Sequence, residues 1–409
     1  MRSLSGEERR LLFIQTFDVL AYMIASVFVT LFFFSHSDLA TTALFRAVAF
    51  ASMTFFFALS GKLLRHVSSG TLIRLGIGGG ALYFLLLFLL REESIRWFVP
   101  LGVLDGFTGG VFWAGFNLNQ YILSSAGRRV AYFGWGQALF QLAVGLGPAI
   151  GGGIITIIGS TAIGKTGGYI TLFIVVSLLL ALVAVLVGRL PGHEIPVFRY
   201  RHILYHRRSR LWNIVLAQQA VLGLYDVALG TVLSILYYLI VQHEGRLGLM
   251  YSIGALIAAL SSVAVTRLLV RFPHSFWIGA AGSALAITLF ASQQNLIGVW
   301  SIIIISSLTV PFMMTMFSTA YFDALDRAPG AWQHKFHLMI ERDGLLAIFR
   351  MISYLVLFAL LQVGDEIAIA RTMLFVLPAF PLAIGVLLQL STRLQKEVPP
   401  APSLPSEIV

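Results

Sequence analysis

The chain has 409 residues, 58% of them hydrophobic and 11% charged, with a mean hydropathy of +0.87, a balance that excludes an ordinary water-soluble domain. It has no cysteine, which excludes disulfides, thiol chemistry and Cys-based metal sites. Its net charge of +10 is distributed over alternating connections, which excludes the concentrated basic face of a nucleic-acid partner.

A helix crosses a bilayer with roughly 20 apolar residues. Runs of that kind fall at 11–35, 40–61, 71–90, 97–125, 131–158 and 169–190, then at 213–241, 246–271, 275–292, 296–324, 343–363 and 368–391. Period-two alternation is absent, so the fold class is an all-α integral membrane protein of about twelve transmembrane helices, not a β-barrel. The N-terminal MRSLSGEERR runs into the first span without a small-residue cleavage site, and the sequence predicts a retained helix.

Residues 1–190 form a first six-helix unit and 213–396 a second, joined by a basic linker, 191–212, that carries Arg199, Arg201, Arg207, Arg208 and Arg210. Alternate connections hold Lys62 and Arg65, Arg128 and Arg129, the linker, Arg267 and Arg271, then Arg327, Lys335 and Arg342. By the positive-inside rule both termini and the linker are cytoplasmic in a multi-pass protein of the cytoplasmic membrane. The linker also has the composition of an anionic-lipid contact. In 328–344, Trp332, Phe336, Met339 and Ile340 share one helical face, which predicts a surface helix lying on the membrane. The Pro-rich stretch 397–409 predicts a disordered cytoplasmic tail.

FDVLAYMIAS at 17–26 is echoed by YDVALGTVLS at 225–234, and the basic turns from Lys62 and from Arg267 recur at a similar offset. FNLNQY at 116–121 stands against AYFDAL at 320–325 in the fourth and tenth spans. In order and at nearly constant offset, these matches indicate a duplicated half.

Two six-helix halves with a basic linker resemble the major facilitator superfamily over nearly the whole chain. The fifth span is similar to that superfamily's antiporter motif at Gly134, Gly147, Pro148, Gly151 and Gly152, with Ala143 where the motif has glycine. Each helical Gly costs about 1 kcal/mol against Ala, so small residues at this spacing need an offsetting role: close helix packing, with or without a part in transport. Two other motifs depart from the family. Gly61 is kept after the second span, but Arg65 stands at its acidic position and Ser68 at its second glycine; in the fourth span Asp105 stands where the family has arginine, four residues before Gly109.

A carboxylate within a bilayer is costly and normally faces a cavity or a partner. The candidates for proton coupling are Asp18, Asp105, Asp226 and Asp323, with Arg350 expected to neutralise Asp323 or a neighbouring acid and Arg46 expected to pair with Asp105. Asp18 and Asp226 are repeat equivalents, and the alternative role for these charges is a fixed ion pair holding helix register. Substrate-cavity candidates are Tyr22, Trp113, Asn117, Asn119, Gln120, Trp135, Gln137, Gln141, Gln218, Gln219 and Tyr225, whose amides and rings suit an amphiphilic solute and equally suit interhelical bonds. No metal site and no cofactor are expected, with the proton gradient as energy source. The expected partners are membrane lipids and a small-molecule or lipid-like substrate bound by a monomer.

The resemblance implies a secondary transporter working by alternating access, most simply a proton-coupled exporter of a small amphiphilic compound. A lipid or lipid-linked precursor translocase of the same fold is the second reading and a non-transporting receptor or scaffold the third. No nucleophile, base and orienting group recur at a spacing that would make an enzyme.

Overall fold

A computed structural model of the chain describes residues 4–123, 129–188, 190, 192–193, 198–204, 206–328 and 332–397. The expected tail lies outside the described residues from position 398 onward. Helices begin where side chains can satisfy free backbone N–H groups. Glu8 N donates to Ser5 Oγ over 3.1 Å and Ser5 N donates to Glu8 Oε2 over 2.6 Å, a reciprocal cap for α1 (Gly6–His36). Asp38 and Ser68 cap α2 (Leu39–Leu63) and α3 (Ser69–Leu90), followed by α4 (Phe98–Leu123), α5 (Arg129–Gly159) and α6 (Gly164–Val187). A short α7 (Tyr200–Leu204) lies in the linker. Then come α8 (Arg210–Val241), α9 (Glu244–Arg271), α10 (Phe276–Ser292), α11 (Leu296–Arg327), α12 (Trp332–Leu361), α13 (Glu366–Val376) and α14 (Ala379–Glu397). Among the described residues twelve segments are long and apolar enough to cross a membrane, α13 and α14 together making the last, and there is no strand.

Two expectations are corrected. The stretch read as a surface helix is the first third of α12, continuous with the eleventh span. Its Phe336, Met339 and Ile340 are buried in a cluster with Leu64, Trp212 and Tyr321, so this face covers protein and not lipid; the side chain of Trp332 lies outside the described residues. The twelfth span is not one helix: Pro378 and Pro381 each lack an N–H and clash with the preceding turn, and the helix breaks between Val376 and Ala379.

Helices α1–α6 pack on one another and α8–α14 do likewise, with two long seams between the sets, α2 against α12 and α5 against α9. The glycines of α5 make its seam possible. A Cβ on Gly151 would run into the Ile24 carbonyl and the Phe28 ring of α1, and one on Gly152 would lie 2.6 Å from the Glu244 carbonyl of α9. Gly147 meets Met23 on the α1 side, while Pro148 turns its carbonyl to Gly248 of α9 and Ala143 is 2% exposed. One helix therefore touches α1 of its own half and α9 of the opposite half at backbone distance.

Candidate functional site

The membrane-embedded charges gather at mid-helix and divide unequally between the repeats. Asp226 lies sixteen residues into α8, about 24 Å along its axis. Arg350 of α12 reaches it with two donors, Nη2 to Oδ2 at 2.5 Å and Nε to Oδ1 at 3.3 Å. The approach depends on Gly223, where a Cβ would meet the Leu346 carbonyl and Phe349, so α8 and α12 lie close enough for a bidentate pair. The guanidinium also sits 5.4 Å from the ring centroid of Phe50 on α2, and Phe50 stacks on Tyr354, whose hydroxyl lies 2.6 Å from that of Thr231.

Asp18, the repeat equivalent of Asp226, is 5% exposed and has no hydrogen bond or ion pair among the described residues. Tyr22, one turn further along α1, is held by Thr108 of α4 at 2.9 Å. Near the opposite end from the linker, Arg46 lies 3.7 Å from Asp105 and donates to Thr30 over 2.9 Å. Asp105 thus has the counter-ion that Asp18 lacks. Arg350 does not neutralise Asp323, which sits half-buried in the last turns of α11; the helix begins eleven residues earlier than the sequence reading, and this carries Arg350 about 27 Å from its first residue, level with Asp226.

The linker end contains a second polar group, where the surface helix and the eleventh span of the sequence analysis meet. Asn117 of α4 donates to Asp343 of α12 over 2.8 Å, a bond between the halves, and Arg342 pairs with Asp343 at 2.5 Å while stacking 4.5 Å over Tyr321. Asp343 and Arg350 are seven residues apart on one face of α12. Beside them Glu341 accepts from Arg208 at 2.5 Å and from Trp212 Nε1 at 2.8 Å, and the Phe198 ring fills the space opposite Gly61. The linker is docked here on both halves. At the far end Glu244 of α9 receives Lys165 at 2.6 Å and the Tyr169 hydroxyl at 3.1 Å from α6, and Leu39 N donates to Glu366 at 3.2 Å.

The remaining candidates are distributed as follows. Asn119 is fully buried and accepts from Ser69 at 2.7 Å, so it ties α4 to α3 instead of lining an opening. Tyr225 faces α14, stacked on Phe380 at 6.2 Å, and Gln120 is half-buried. Trp135 is 43% exposed. Trp113 packs with Phe112 and Phe116, and Gln141 is half-buried. The surroundings of Gly134 and the side chain of Gln137 lie outside the described residues. Gln218 and Gln219 are fully buried on α8, and none of their four amide atoms has a hydrogen-bond partner among the described residues. Gln219 is seven residues from Asp226, on the same face, below the Asp226–Arg350 pair.

Twelve spans in two packed halves, with ion pairs and lone polar groups at mid-membrane, define a membrane transporter fold. The sequence profile of the Major Facilitator Superfamily matches residues 11–334, and the chain belongs to that superfamily; it is a multi-pass membrane transporter. A Bacillus subtilis (strain 168) protein, "Uncharacterized protein YqgE", is 22% identical over 325 residues, covering 77% of this chain and 74% of that protein. Among solved structures, a bacterial homologue of the iron transporter ferroportin in its inward-facing state is similar with TM-score 0.65 and 16% identity over 95% of this chain and 99% of that one. The human organic anion transporter MFSD10 is similar with TM-score 0.61 and 15% identity over 94% and 100%. These likenesses concern the fold.

Proposed function

We propose that the protein is a proton-coupled exporter of a small amphiphilic organic solute, with Asp18 as the group that carries the proton. The observation behind this reading is the asymmetry of the repeat: Asp226 is held by Arg350, whereas Asp18 is buried without a counter-ion. A lone carboxylate closed off from water bears a penalty of several kcal/mol when charged, and hydration of the same site removes it. Opening and closing around Asp18 therefore loads and releases a proton, while the Asp226–Arg350 pair keeps a constant charge and fixes α8 on α12. Trp113, Tyr22 and Gln141 supply the ring and amide surface for an amphiphile, and the unpartnered amides of Gln218 and Gln219 supply polar contacts in the opposite half.

The structural neighbours name iron and organic anions as cargo, two chemistries that share no recognition rule, so the solute is assigned from this chain's own side chains. The lipid-translocase reading keeps the basic surface as support but not the amphipathic segment, because the apolar side of residues 336–340 is covered by protein. The proposed setting is the cytoplasmic membrane, with both termini and the linker inside, acting as a monomer without covalent catalysis, resident metal or cofactor. Purified protein in proteoliposomes, given an imposed pH gradient and a panel of labelled organic amphiphiles, tests the reading. Gradient-driven uptake is expected for the native protein, with loss of coupling but persistence of solute exchange in Asp18→Asn; coupled uptake unchanged in that variant would overturn it.

A further inference from the structure

At the linker end a cleft of about 410 Å³ opens between α8 and α14, lined by Arg210, Asn213, Ile214, Leu390, Arg393 and Leu394. The residues come in two sets at helical spacing, i, i+3 and i+4 on each helix, so the cleft is the meeting of two continuous faces. Its polarity is graded along the helix axes. The two guanidiniums stand at the helix ends, and Ile214 and Leu390 lie about one turn further in. Arg210 and Arg393 are exposed and have no hydrogen bond or ion pair among the described residues, in contrast to the neighbouring Arg208, which is bound to Glu341. Among the described residues no acidic side chain lines the cleft.

We propose that this cleft seats one anionic phospholipid, its phosphate between the guanidiniums of Arg210 and Arg393 and an acyl chain along Ile214 and Leu390. Charge complementarity selects the headgroup and the apolar wall selects a lipid over a free anion. A neutral headgroup leaves two positive charges uncompensated where the helices leave the membrane. The site sits on the seam that holds α14 to α8, the helix carrying Asp226, so its occupant stiffens the half that bears the fixed ion pair. The inference is independent of the transported solute.

Native mass spectrometry of the full-length protein in detergent, titrated separately with phosphatidylglycerol, phosphatidylcholine and glycerol 1-phosphate, tests it. The native protein is expected to retain one phosphatidylglycerol in preference to phosphatidylcholine, and the double variant Arg210→Gln/Arg393→Gln to bind it ~30-fold more weakly, the loss for two interfacial charges. Arg65→Gln, which removes an exposed charge at the same end but outside the cleft, is expected to leave binding unchanged. The charge-preserving Arg210→Lys/Arg393→Lys variant guards against a folding defect and is expected to keep most of the affinity. Equal phosphatidylglycerol binding by the Gln double variant and the native protein would overturn the proposal. So would equal retention of phosphatidylcholine, an equal loss in Arg65→Gln, or glycerol 1-phosphate binding as tightly as the lipid.

Discussion

Asp18 and Asp226 occupy equivalent places in a duplicated sequence, and their surroundings give them opposite energetic roles. Removing the charge of Asp226 strands the Arg350 guanidinium in a partly buried site, and the expected cost of Asp226→Asn is about 3–5 kcal/mol, read as a fall in thermal unfolding midpoint in detergent. The double variant Asp226→Asn/Arg350→Gln recovers part of that loss, because no lone charge remains. Asp18→Asn removes an uncompensated group, so its midpoint is expected to stay level or rise; a fall as large as that of Asp226→Asn would mean that Asp18 has a counter-ion after all. A titrating residue outside the spans makes a separate prediction. His193 N donates to Ser69 Oγ at 3.0 Å and its carbonyl accepts from Ser69 N at 2.9 Å, while burial pushes the imidazole below its usual range against a weaker upward pull from Glu7. The undocked linker therefore binds more protons than the docked one, and docking weakens as pH falls from about 6.5 towards the depressed value. Exchange of the Ser69 amide hydrogen is expected to speed up relative to the intrinsic rate over that window, and His193→Gln to abolish the pH dependence.

At the scale of the helix, α5 shows why glycine is placed where it is. Gly151→Ala drives a methyl into the Ile24 carbonyl and the Phe28 ring, and the resulting displacement of α1 from α5 is expected to cost about 1–3 kcal/mol. Gly153, two residues away, has open space around its Cβ position, so Gly153→Ala is expected to stabilise by up to about 1 kcal/mol through helix propensity alone. Thermal midpoints of the two variants in one detergent separate packing from propensity. The glycine spacing was legible in the sequence, as were the spans and the linker, because each is a local pattern of hydropathy or small residues. What escaped is what depends on helix phase and on partners distant along the chain. The polar run ERDG hid the continuity of the eleventh span with the helix before it, and the apolar residues around Pro378 and Pro381 hid the break after Val376. The same continuity carries Arg350 three turns further from the start of its helix than a span beginning at 343 would, so that of the acids open to it the partner is Asp226 and not Asp323.

For the whole molecule, the two halves touch along both seams and at both ends. The linker end is joined by Asn117 and Asp343, the far end by Lys165, Tyr169 and Glu244, and each contact is a polar bond between helices of opposite halves. Alternating access requires these bonds to break in turn while the seams α2–α12 and α5–α9 act as the pivots. The absence of cysteine makes the requirement directly testable. Pairs Asn117→Cys/Asp343→Cys and Lys165→Cys/Glu244→Cys, bridged by a short cleavable thiol cross-linker in proteoliposomes, are each expected to stop solute flux and to regain it on reductive cleavage. Water-accessible labelling of a cysteine placed at Gln141 should then discriminate the two locks, reaching the residue from the far side when the linker end is closed and from the linker side when the far end is closed. Flux that persists with either end covalently closed would show that solute does not pass between the halves. The rocking motion would then not be the transport step.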